Sequence, residues 1–274
     1  MPIQQNLRIR FTAAAALLIG GLLWFWPGVF AQVAVDADDI GGVVRGTNGP
    51  EAGVWVIAET DAFDTLFRKI VVTDDDGRYV LPDMPSADYF VWVRGYGLRD
   101  SDPVRSRPGS TLDLQAVQAA DPREAAQVYP ANYWYSLIEV PPESDFPGTG
   151  ENGNGISPGM RTQANWIDGL KQGCQLCHQL GNLATREMAS LADYETTEAA
   201  WVHRTRAGQR GGMMSGALGR FGTDHVIEHY ADWTDRIMDG EVPPMPPRPQ
   251  GQERNIVLSM WEWGGPTGYI HDEV

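Results

Sequence analysis

The sequence predicts two domains in tandem, a small all-β sandwich followed by an α-helical domain. Three observations predict it. Residues 37–115 alternate short runs of β-branched and aromatic residues with Gly-, Pro- and Asp-rich turns. Residues 148–155 (GTGENGNG) are a polar, glycine-rich break. Beyond the break, apolar residues recur at helical spacing. A chain of 274 residues is long enough for one large or two small domains. An apolar fraction of 42% with 21% charged residues is that of a folded chain.

The N-terminus stands apart from this plan. Arg8 and Arg10 precede an apolar run from Phe11 through Trp26, which Pro27 and Gly28 break before Val29-Phe30-Ala31. Residues 1–31 therefore read as a secretory signal peptide. An uncleaved anchor is the alternative, since the run approaches the ~20 residues needed to span a bilayer. Either reading places the rest outside the cytoplasm, in the periplasm or secreted.

Within residues 37–115 the strands follow in order. Val43-Val44 leads into a turn at Gly46 to Gly53, and Val54 to Ala58 and Ile70 to Thr73 are the next apolar runs. Asp74-Asp75-Asp76-Gly77 reads as a hairpin turn, because Asp-Gly supplies the positive φ that a tight turn needs. Arg78 to Leu81 and Asp88 to Arg94 are the last two strands. The three aspartates lack the alternating spacing and distal Glu of a calcium loop, so a solvated turn tip is the expectation. The pattern T-D-x-D-G-x-Y-x-L-x-x-M-P-x-x-x-Y, from Thr73 to Tyr89, resembles that of the carboxypeptidase regulatory-like domain, a transthyretin-like β-sandwich. Ala87-Asp88 stand where that family usually has Gly before the final Tyr. The resemblance implies a structural or adhesive module with a carbohydrate-binding-like fold, taking a glycan or protein ligand, and no peptidase activity. Trp55, Trp92 and Tyr96 are the aromatics that would face such a ligand; packing in the core or at the sheet edge is their alternative.

Residues 116–159 read as a linker and packing segment, with Asn132 to Tyr135 and Ile138 to Pro142 apolar enough to lie on a neighbour. Residues 160–250 form the helical domain. Helices are expected over 160–172, over 196–207 with Thr196 or Thr197 as cap, and over 223–238. For the last, Thr223 is the cap, Asp224 suits the positive end and Gly240 follows the final turn. Residues 251–274 form a strand and tail, of which Asn255 to Trp263 would need a partner strand.

Chemistry concentrates at Gly173-Cys174-Gln175-Leu176-Cys177-His178, which holds both cysteines of the chain. C-x-x-C-H is the attachment sequence of c-type haem. Two thiols about one helical turn apart can each form a thioether with a vinyl group of one porphyrin, and the following imidazole then reaches the iron. Cys174 and Cys177 are thus the covalent anchors of one haem c and His178 the proximal ligand. A redox dithiol would need a thioredoxin-like βαβ context, and zinc about four ligands; neither is present in the sequence. The distal ligand is open. In class I cytochromes a Met lies on a loop before the last helix. Met214 and its neighbour Met213 fit that position, and Met245 in Pro243-Pro244-Met245-Pro246 is a second alternative. Met188, Met238 and Met260 read as packing residues. His203, His225 and His229 read as ordinary helix-surface histidines.

The stretches GCQLCHQLGNLATR, GALGRFG, ADWTDRI and RPQGQERNIVLSMWEWG resemble the cytochrome c segment fused to regulatory-like domains in exported bacterial proteins. Longer relatives continue into a repeat region resembling a β-propeller. Residues 251–274 would then be the start of a further domain in a short or truncated member. The resemblance implies electron transfer through one haem, with catalysis a lesser expectation. The alternatives are a carbohydrate- or protein-binding module with the haem secondary, or the electron-transfer part of a larger oxidoreductase or lyase. A formal charge of −15 argues against nucleic acid. It suits a basic redox partner met with salt-dependent on-rates.

Overall fold

A computed structural model describes residues 33–175, 179–187 and 191–262 of the chain. The leader expected over residues 1–31 lies outside them. No helix among the described residues is long and apolar enough to cross a membrane.

Period-two alternation builds the first region. The strands are β1 (Ile40–Gly46), β2 (Gly49–Pro50), β3 (Trp55–Thr60), β4 (Leu66–Val72), β5 (Arg78–Leu81) and β6 (Tyr89–Arg94). Short strands β7 (Leu98–Arg99), β8 (Val104–Ser106), β9 (Ser110–Thr111), β10 (Leu114–Gln115) and β11 (Val117–Gln118) follow. In β4, Phe67, Lys69 and Val71 are buried while Leu66, Arg68, Ile70 and Val72 are half-exposed. In β6, Tyr89, Val91 and Val93 point inward. One sheet runs in the order β12-β4-β3-β6-β8, with β12 (Leu258–Glu262) as its outer strand; the other gathers β2, β5, β9 and β10 around β1. Ile40, Val44, Tyr79 and Leu81 of one sheet share a core with Val56, Phe67, Val71, Tyr89 and Val93 of the other. The sheet-rich first half expected from the sequence is present.

The turn at Asp74 to Gly77 corrects one expectation. Its local chemistry is as read: Asp74 accepts from the backbone N–H groups of Asp76 (2.9 Å) and Arg78 (2.8 Å). Gly77 has φ +71°, and a Cβ there would stand 2.6 Å from the Val44 carbonyl oxygen. The strands it joins do not pair, however. β4 already has β3 on one edge and β12 on the other, so β5 crosses to the opposite sheet and pairs with β1. Asp74 and Asp76 are ion-paired with Arg78, and Asp75 with Arg254.

The helical region comprises α1 (Pro122–Ala126), α2 (Ala131–Tyr135), α3 (Gln163–Gly173), α4 (Leu183–Arg186), α5 (Thr197–Arg204), α6 (Gly211–Leu218) and α7 (Thr223–Met238). Thr162 caps α3 and Thr196 caps α5, each accepting a backbone N–H three residues on. The cap of α7 is Gly222 rather than Thr223, which is the first helical residue. One core joins Trp134, Ile156, Trp166, Leu170, Trp201, Phe221, Tyr230 and Trp233. From residues 116–159 that core draws in Ala125, Ala126, Tyr129, Trp134, Ile138 and Ile156. The glycine-rich run expected to be a linker is a folded loop: Gly148 N–H donates to the Met160 carbonyl (2.9 Å) and Gly150 N–H to that of Ile156 (2.8 Å).

The two regions interlock. Tyr96, in the β6–β7 turn, packs edge-on against both Trp55 of β3 and Tyr129 of the helical region. After α7 the proline-rich strap 243–250 returns to the sheets. There the Arg248 guanidinium donates to the Tyr96 carbonyl (3.0 Å), Glu51 (2.7 Å) and the Ala52 carbonyl (3.3 Å). The strand expected near the C-terminus finds its partner in this way: β12 pairs antiparallel with β4 from Leu258↔Ile70 to Glu262↔Leu66. Arg68 bridges Glu59 and Glu262 beneath it, at 2.9 Å each. Residues 263–274 lie outside the described residues.

Candidate functional site

The motif begins where α3 ends. Thr162 starts this helix, Trp166 and Leu170 bury its inner face, and Cys174 is its C-cap, with its N–H donating to the Leu170 carbonyl. Cys174 is half-buried against the helical core, its sulfur 3.4 Å from the hydroxyl of Tyr230 on α7. Burial pushes the Tyr230 phenol well up, and the neighbouring Cys174 adds to the shift. Tyr135, at the end of α2, is pushed up to about 12, again by burial first and by Cys174 second. A buried phenol, Tyr230, and a half-buried one, Tyr135, therefore lie near the first cysteine from different helices. Cys177 and His178 lie outside the described residues.

The segment after α6 meets the end of α3. Arg220 donates to the Gly169 carbonyl at 2.7 Å, and a Cβ on Gly173 would stand 2.9 Å from the Arg220 guanidinium. Phe221 packs edge-on against Trp166. This contact brings the end of α6 beside the motif. Met213 and Met214, expected on a loop, lie within α6 itself. Met213 is exposed, with its sulfur near Arg210, and Met214 is half-buried. An added Cβ at Gly212 or Gly216 on the same helix would meet nothing within 4 Å. Met245 is placed differently: it is exposed, and its sulfur would lie 3.4 Å from a Cβ at Gly97, in a turn of the sheet-rich region. Of the methionines read as packing residues, Met238 and Met260 are exposed and Met188 lies outside the described residues.

Sequence reasoning passed over two side chains here. Trp166 is fully buried, and its indole N–H has no acceptor. Its ring lies edge-on to His229, whose imidazole burial and the nearby His225 hold below the usual range. Arg186 is 4% exposed and stacks its guanidinium 4.1 Å over the Trp134 ring. One terminal nitrogen donates to the Gly181 carbonyl (2.9 Å) and the other reaches Gln127 (3.4 Å), but Nε–H has no acceptor. Burial lowers the affinity of Arg186 for its proton, against the pull of Glu187. These are the two buried side-chain donors left without a hydrogen bond among the described residues. One lies eight residues before Cys174 and the other eight after His178. Orphaned buried donors are rare in folded proteins, because each forfeits its hydration without return. Both donor atoms are closed off from solvent by the chain itself. The aromatic residues were visible in the sequence, but the absence of their partners is a property of packing alone.

Of the aromatics expected to face a ligand, Trp55 is half-buried against Tyr96, Tyr96 is half-buried against Tyr129 of the helical region, and Trp92 lies beneath the guanidinium of Arg94.

No family model matches the chain, and no curated protein matches it. Among solved structures it is similar to a 9R-lipoxygenase from Cyanothece PCC8801, at 16% identity and a TM-score of 0.18, over 64% of this chain and 30% of the other. The chain thus spans less than a third of that protein's length, and a likeness of this size carries no argument.

Proposed function

We propose that this chain is an exported c-type cytochrome that carries electrons through one covalently held haem. The observation that carries the reading is the C-x-x-C-H motif itself, formed by the only two cysteines and the histidine that follows them. Cys174 and Cys177 would hold the porphyrin edge and His178 the iron. When bound, the haem supplies one-electron transfer. The chain's part is to orient the group and shield it from water. Tyr230 and Tyr135 line the side of Cys174, and Trp166 and Phe221 close the base of α3. The contact between Arg220 and α3 favours Met214, or its neighbour Met213, as the distal ligand, and the seat of Met245 against Gly97 disfavours it. The sheet-rich region is proposed as a transthyretin-like sandwich that serves as scaffold. An acidic chain of charge −15 would meet a basic redox partner through transient complexes.

A pyridine haemochrome spectrum tests this, taken on protein exported from a host that matures c-type cytochromes and then extracted with acid–acetone. Haem that stays with the polypeptide, with the band position of two thioether links, is the expected result. Haem that is absent or extracts freely ends the proposal.

A further inference from the structure

Two histidines of α7 stand one turn apart. His225 and His229 are at i and i+4, so their Cβ atoms lie about 5–6 Å from each other on one face of the helix. Both side chains are half-buried. The ring of His229 is held edge-on against the fully buried Trp166, with centroids 5.6 Å apart. Neither imidazole makes a hydrogen bond or an ion pair among the described residues. The ring nitrogens of both are therefore uncommitted.

The surroundings set the charge of what such a pair could hold. Burial first, and then the nearby His225, hold the His229 imidazole below its usual range, which keeps it neutral with a lone pair to offer at neutral pH. Three carboxylates act on the same ring in the opposite sense. Glu139 comes from the segment after α2, and Asp232 and Glu228 belong to α7 itself. Asp232 is ion-paired with Arg236 at 2.7 Å. Glu139 and Glu228 are exposed and have no ion pair among the described residues, so their charge is uncompensated. Asp224, in the first turn, offsets the positive end of the helix dipole near His225. Two neutral imidazoles among spare carboxylates suit a cation of intermediate softness. Imidazole is a ligand for zinc, copper and nickel, whereas calcium and magnesium want a shell of oxygens.

We propose that His225 and His229 form a two-imidazole site for a divalent transition-metal ion such as Zn²⁺, with Glu139 supplying negative charge from a second segment. The i, i+4 spacing lets two imidazoles on one helix reach a single ion at about 2.0–2.1 Å each. Trp166 holds one of the two rings in place before the ion arrives. The site uses no residue of the C-x-x-C-H motif and stands whether or not the chain carries haem.

Calorimetric titration of the full chain with Zn²⁺ tests it. The thiols of Cys174 and Cys177 are to be occupied by haem or, where no haem is attached, alkylated beforehand. One ion per chain is the expected result. His225→Gln and His229→Gln should each weaken binding by about 100-fold, the low end of what linking two binding groups gains. His225 has no ring contact of its own, so its substitution leaves the packing of Trp166 in place and separates ligation from folding. Glu139→Gln should weaken binding by a smaller factor, since it withdraws charge and no ligand. His203→Gln, on α5, should leave binding unchanged. The proposal is overturned if His225→Gln binds Zn²⁺ as the wild type does, or if the wild type binds it no more tightly than about 1 mM.

Discussion

Polar groups drawn into the interior fare differently in the two regions. Among the sheets, Lys69 is buried but donates to the carbonyls of Pro82 (2.5 Å) and Asp83 (3.0 Å). Thr73, with no exposure, donates to the Glu51 carbonyl (2.6 Å) and accepts from Val54 N–H (3.1 Å). In the helical region Trp166 and Arg186 are as deeply buried and keep a donor unsatisfied. The sheets thus complete their hydrogen bonding with their own chain, as a self-sufficient scaffold must. The helices leave two donors enclosed by the chain and unsatisfied among the described residues. A sheet-rich region complete in itself, beside a helical region that on the proposed reading holds a haem, is a division of labour that can be attacked from either side.

The largest break comes from withholding the haem. Cys174→Ala with Cys177→Ala, exported from the same maturing host, should strip the helical region of local stability on the order of 5 kcal/mol. Amide exchange of α3, α5 and α7 should then approach that of an unfolded chain, while β3, β4 and β6 stay protected. Equal loss of protection in both regions would refute the division. A smaller break removes Trp134, which carries Arg186 on its face and accepts a bond from the Trp233 indole at its carbonyl (3.0 Å). Trp134→Ala should destabilise by about 3–5 kcal/mol through the cavity it leaves, read as a lowered denaturation midpoint in urea.

The strap tests the joint between the regions. Arg248 ties 243–250 to Glu51, Ala52 and Tyr96 at once. Arg248→Ala should cost about 1–3 kcal/mol, since Glu51 is left buried and unpaired. Its signature should be selective, with faster amide exchange in β12 before β3 or β6.

Legibility from sequence follows the same contrast. β6 was readable because each side chain's face follows from its parity, whereas β4 was read only from Ile70 and its first four residues, Leu66 to Lys69, were missed. The Asp74 to Gly77 turn was readable in its backbone and misread in its pairing. Turn chemistry fixes φ locally and cannot know that both edges of β4 are taken. α7 was readable in its span, from Asp224 in its first turn and Gly240 after its last, though not in its cap, which is Gly222 rather than Thr223. α6 was not, since a Gly-Gly-Met-Met-Ser-Gly run has low helix propensity and becomes helical only in its tertiary setting. Residues 116–159 hid their role because α1 and α2, five residues each, are too short to show a period. At the site the motif was legible by spacing, whereas Tyr230, Trp166 and Arg186 matter through what they touch or fail to touch.

The smallest effect probes how finely the helical region is tuned around Cys174. Thr196 caps α5 by accepting from Ala199 N–H at 3.1 Å. That helix carries Trp201, whose ring lies 4.7 Å from the ring of Tyr230 and whose indole donates to Thr234 (3.0 Å). Thr196→Ala should cost about 1 kcal/mol, little enough for the chain to fold and, on the cytochrome reading, to retain haem. Its counterpart in the sheets is Asp74→Ala, which removes two bonds to backbone N–H groups and should cost a similar ~1 kcal/mol. The two variants then differ in where the loss is felt. Loosening α5 frees Trp201 and with it the buried Tyr230 hydroxyl beside Cys174, so on the cytochrome reading the Soret band should broaden. Loosening the turn at Asp74 should leave that band unchanged at equal cost in midpoint. A band that responds alike to both would mean that the sheets share in holding the group, and that the contrast between scaffold and holder is false.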